Sequence, residues 1–120
     1  MFFRHADDKE QITAGDGCRL TELANPLKER FGLDCSVALC VLDEGRRTYR
    51  HVLSACEVYY FIKGEGRLYS GGEVLEVRAG MLAEVPGGKV QYLENSGEGD
   101  LRFLCLVQPA WHEDHEEILE

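Results

Sequence analysis

The sequence predicts an all-β protein, a sandwich or barrel, and three observations carry the prediction. Short apolar-rich segments recur between Gly-containing turns, no apolar pattern of helical period lasts beyond a few turns, and only three prolines occur. With 120 residues the chain supports one hydrophobic core and is too short for two, so a single domain is expected.

Taken in order, the strands are expected at residues 18–24, 36–43, 48–52, 56–63, 66–70, 73–77, 81–85, 90–95 and 100–108. The breaks between them are Glu44-Gly45, Gly64-Glu65, Gly71-Gly72, Gly80, Pro86-Gly87-Gly88 and Ser96 to Gly99. Gly71-Gly72 reads as a two-residue hairpin turn, because glycine accepts the positive φ such turns need. Residues 25–34 hold a proline and charges at helical spacing, and so form a loop or one short helix. Residues 1–17 are expected as an outer strand or arm, 18–108 as the barrel, and 109–120 as an acidic tail with a helical turn, anchored through Trp111.

Composition excludes several function classes. A net charge of -9 with scattered Lys and Arg argues against a phosphate-backbone partner, so no nucleic-acid binding is expected. No apolar run approaches the roughly 18 residues of a membrane span, and the start lacks a signal-peptide core, so the expectation is a cytoplasmic protein without a membrane partner. Five cysteines make no C-x-x-C pair and read as reduced thiols, small hydrophobes where they fall in strands.

Two stretches carry the chemistry. Gly45 to Gly64 has the spacing G-x5-H-x-L-x3-E-x6-G, with His51, Leu53 and Glu57 at the named positions. Gly80 to Asn95 reads G-x5-P-x-G-x2-Q-x3-N, with Pro86, Gly88 and Gln91. Alternation along a strand puts His51 and Leu53 on one face, and Glu57, Tyr59 and Phe61 on one face, with Gln91 and Leu93 supplied by a neighbour. Gly88 is expected to leave room for backbone beside the site. A carboxylate amid Val58, Tyr59, Tyr60 and Phe61 needs a cation, a histidine or an arginine beside it, because burying it alone costs several kcal/mol.

These are the spacings of the two cupin motifs, with Leu53 and Gln91 where two histidines usually stand. Over residues 36–108 the chain resembles small single-domain prokaryotic members of the cupin superfamily, a resemblance extended by the runs from Ser54 to Gly66, Pro86 to Gly97 and Leu101 to Trp111. The resemblance implies a double-stranded β-helix, or jelly-roll, barrel and commonly a homodimer. In metal-dependent relatives it implies three histidines and a glutamate around iron, manganese, nickel or zinc at the barrel mouth. Carried over by position, the metal candidates here are His51, Glu57 and Gln91, and the catalytic candidates are His51 and Tyr59. An amide oxygen is a weaker donor than imidazole and Leu53 is no donor, so any divalent ion is expected to bind loosely.

The leading expectation is a cupin that binds a divalent metal weakly and acts on a small polar or anionic metabolite. The alternative is a metal-free, non-catalytic module that binds or senses a small molecule, which the apolar Leu53 favours. A third reading pairs His51 with Glu57 as a metal-free acid and base. Tyr60 and Tyr92 suit an outer face and a dimer interface, Arg46, Arg47 and Arg50 are candidates to steer an anion, and His112, Asp114 and His115 form a second, surface cluster of potential ligands.

Overall fold

Side-chain alternation builds the structure, a computed structural model that describes residues 1–120. In Leu101–Gln108 the odd positions Leu101, Phe103, Cys105 and Val107 are buried, while Arg102, Leu106 and Gln108 face outward. The same rule turns Glu57, Tyr59 and Phe61 inward from Cys56–Lys63.

Eleven strands result: β1 (Ile12–Thr13), β2 (Arg19–Ala24), β3 (Ser36–Leu42), β4 (His51–Leu53), β5 (Cys56–Lys63), β6 (Glu65–Ser70), β7 (Glu73–Arg78), β8 (Leu82–Val85), β9 (Val90–Asn95), β10 (Leu101–Gln108) and β11 (Glu116–Ile118). They form two antiparallel sheets, ordered β1-β2-β3-β10-β5-β8 and β11-β4-β9-β6-β7. The expected all-β double-stranded β-helix is the fold observed. No helix is long and apolar enough to cross a membrane.

The core lies between the sheets. Tyr59, Phe61 and Phe103 meet ring to ring, with centroids 5.7 to 5.9 Å apart, in a cluster closed by Leu42, Leu68, Leu93 and Leu101. A smaller cluster of Leu53, Ala55 and Val107 sits under Trp111 and continues the apolar wall toward the mouth.

Of the two forms expected for residues 25–34 the loop is observed, because Asn25 spends its carbonyl and side chain on the amides of Leu27, Lys28 and Glu29 without a helix following. Two expectations are corrected. The tail has a single 3-10 turn at Glu113–His115 and then continues as β11, paired with β4 through Glu116↔Leu53 and Ile118↔His51. Close backbone approach in the Pro86 turn falls on Gly87, where a Cβ would stand 2.2 Å from the Ser54 carbonyl oxygen; Gly88 serves by its φ of +84°.

Candidate functional site

Between the sheets lies a cavity of about 160 Å³, walled in part by residues between Ile12 and Lys28 and by Trp111 and Glu116. Leu53, Leu93, Phe103 and Val107 make much of its wall, and His51, Glu57 and Tyr59 face it from β4 and β5. Gln91 stands opposite His51 in the β4–β9 register, yet it is not part of the lining.

Each polar group has a distinct partner. His51 is held by a 2.8 Å contact from Nδ1 to the Tyr49 carbonyl, which fixes that nitrogen as the donor. Its Nε2 then presents a lone pair to the cavity, with the nearest carboxylate, that of Asp16, 4.0 Å away. The Tyr59 hydroxyl donates to Gln91 Oε1 at 2.5 Å. Burial raises the Tyr59 phenol well above its usual range, so it shapes the wall as a neutral group.

Glu57 is only 9% exposed. Burial pushes its carboxyl up to about 7, although the nearby imidazole of His51 pulls in the other direction. Its remaining neighbours are weak holders: Cys105 offers a thiol, and the Tyr59 hydroxyl is already committed to Gln91. Near neutrality this carboxyl can therefore both give and take a proton.

The wall also carries Cys18, Cys40 and Cys105. All three thiols are raised, Cys18 and Cys40 first by a hydrogen bond to the next thiol and then by burial, and Cys105 by burial against the opposing pull of its bond to Cys40, which keeps them protonated and makes them apolar wall rather than nucleophiles. All five cysteines are unpaired.

Two carboxylates that line the cavity escaped the sequence reading. Asp16 belongs to the arm expected on the outside, but the loop after β1 turns it over the mouth, where its backbone carbonyl accepts from the Tyr49 amide. Glu116 belongs to the tail expected to be solvated, but pairing of β11 with β4 carries it to the same mouth, where burial raises its carboxyl. No local signal marks either residue; both depend on edge-strand pairing across the whole chain. Asn25, fully buried, was also missed; its amide donates to the Trp111 carbonyl at 3.0 Å and ties the tail down.

The other expected groups lie away from the cavity. Arg47 and Arg50 engage Glu120 on the surface, while Arg46 is exposed, so these cations do not line the cavity. His112 and His115 sit on the surface turn with rings 5.7 Å apart, and His112 Nδ1 accepts from the Asp114 amide.

A divalent ion fits these residues poorly. Gln91 has its acceptor oxygen occupied by Tyr59, Leu53 offers no donor, and no three His, Cys, Asp or Glu side chains are gathered closely enough to hold an ion.

The barrel and its motifs place the chain among known proteins. It belongs to the cupin family, whose cupin-domain model matches residues 38–107. An uncharacterised protein of Methanocaldococcus jannaschii is 31% identical over 107 residues, covering 88% of this chain and 84% of that protein. An oxalate-binding protein of Thermotoga maritima is 33% identical over 51 residues, 42% of each chain. Among solved structures, a Streptomyces PAC13 variant with uridine shares the fold with a TM-score of 0.78 at 18% identity, covering all of this chain and 92% of that one.

Proposed function

We propose that this cupin binds a small molecule inside the barrel without a resident metal, with His51 and Glu57 addressing the ligand as a paired base and acid. The observation that carries the reading is that His51 Nε2 and the Glu57 carboxyl both open on one enclosed, mainly apolar cavity and have no strong partner there. Such a site combines an apolar wall with a few convergent polar groups and a shifted carboxyl. The relatives whose names mention oxalate and uridine support small-molecule binding in general.

In the acid–base reading, the His51 lone pair takes a proton from the ligand while the Glu57 carboxyl returns one to another ligand atom. Tyr59, fixed through Gln91, keeps the wall of the cavity in place. The loosely held ion of the sequence expectation would use His51, Glu57 and Gln91, and would require Gln91 to release Tyr59. A thermal-shift screen of metabolites with and without chelator separates the readings. Ligand-dependent stabilisation that ignores chelator is expected; stabilisation that vanishes with chelator would replace this reading by the metal one.

The protein is further proposed to act as a cytoplasmic homodimer. Five unpaired thiols suit a reducing compartment. On the outer sheet face, paired positions bring Leu39, Leu104, Tyr60 and Leu82 into one row and Val37, Leu106 and Val58 into the next. Lys63 and Arg102 stand at one end of these rows, and Glu84 stands toward the other. A second copy turned end for end would therefore meet apolar surface with apolar surface and opposite charge with opposite charge.

A further inference from the structure

We propose that the cavity selects a single-ring cation, an amidinium or ammonium carried on a ring of about benzene's size, and rejects a carboxylate of the same shape. The inference rests on the small-molecule reading above and specifies the ligand's size and charge.

Size comes from the cavity itself. Its volume is about 160 Å³, close to the roughly 150 Å³ at which an apolar protein cavity accepts benzene. The aliphatic and aromatic wall leaves little reason for a larger or highly hydrated ligand to enter.

Charge comes from what surrounds it. Asp16, Glu57 and Glu116 all line the cavity and all approach the single imidazole of His51. The one lysine or arginine on the wall, Lys28, is already paired at 2.8 Å with Glu22, a fourth lining carboxylate. The Ser36 and Thr48 oxygens accept from the Trp111 and Leu93 amides, which leaves their O–H groups as donors, so the acceptor capacity on the wall is that of the carboxylates and of His51 Nε2.

Two nearly inaccessible side chains show that this is a recess made for a guest rather than an acidic surface. His51 is 3% exposed and Glu57 9%, and each directs an uncommitted polar atom into the cavity. No fully enclosed side-chain nitrogen or oxygen in the protein lacks a partner, so the free polar capacity lies on atoms that the cavity itself reaches. A planar amidinium supplies the paired N–H donors that carboxylates accept, whereas a carboxylate guest would face three of its own kind.

The test uses benzamidine, benzamide and benzoate, which share a shape and differ in charge, titrated into the full chain by calorimetry at pH 8. Benzamidine is expected to bind at least about tenfold more tightly than benzoate, with benzamide between them. Asp16→Asn combined with Glu116→Gln should bring the three affinities together while benzamide binding persists, which also reports an intact fold. Benzoate binding as tightly as benzamidine would overturn the charge inference and leave the cavity as a small-molecule site. If none of the three binds but the metabolite screen yields a ligand, the size and charge assignment falls alone; if both are empty, the small-molecule reading falls with it.

Discussion

The Tyr59 hydroxyl and Gln91 Oε1 join the two sheets through a hydrogen bond inside the core, from β5 of one to β9 of the other. Both residues are buried, so removing the donor strands an amide oxygen away from water. Tyr59→Phe is expected to cost about 1–3 kcal/mol, measured by urea unfolding. Replacing Gln91 by Met in the same chain should recover much of that loss, since no polar atom is then left alone. A Tyr59→Phe protein as stable as the parent would mean that this bond contributes nothing.

The metal question has a constructive test. Leu53→His together with Gln91→His restores imidazole at both changed motif positions and releases the site from the Tyr59 bond. Elemental analysis should then find close to one zinc, nickel, manganese or iron ion per chain, and chelator should lower the melting temperature. The parent chain, purified without chelator, is expected to hold far less. Stoichiometric metal in the parent that disappears in Glu57→Ala would overturn the metal-free reading.

Stability should fall as pH rises through neutrality, and Glu57 is the reason. Its carboxyl is raised from the ordinary 4.5 to about 7, so the folded protein retains a proton that the unfolded chain gives up. The contribution is fully present below about pH 4.5 and is lost as pH rises through about 7. Glu57→Gln should therefore stabilise the protein at pH 8 by up to about 3 kcal/mol and flatten this part of the curve. Melting temperatures of both proteins at pH 5.5 and pH 8 give the comparison; an unchanged slope in the variant would assign the effect elsewhere.

The outer apolar rows predict association. Light scattering after size exclusion should give twice the chain mass for the parent, and the monomer mass for Tyr60→Lys combined with Leu104→Glu. Both substitutions lie on the outward face, away from the cavity, so ligand binding by the monomer should persist. A parent that elutes as a monomer at high micromolar concentration would remove the homodimer.

The barrel was readable because alternation and turns leave local marks. Phe61 and Phe103 alternate with outward residues, and Gly71 has the φ of +59° that its hairpin position anticipated. Within the site, His51 and Glu57 were readable from motif spacing, and the structure brings both to one cavity. The place of Gln91 in the chain says where its backbone lies; what its amide does is decided by Tyr59, 32 residues away. Asp16 and Glu116 were illegible for a stronger reason, since each reaches the mouth through pairing of a short edge strand, a decision made by the assembled sheets. The tail also depends on Asn25 and Ser36, which hold the Trp111 backbone from distant parts of the chain.

Because Asp16 follows β1 and Glu116 lies in β11, the groups proposed to choose a guest are separable from the part that keeps the protein folded. The aromatic core and the long ladders between β3, β10 and β5 make no use of Asp16 or Glu116. Under that proposal, exchanges at Asp16 and Glu116 would rewrite ligand preference on an unchanged scaffold.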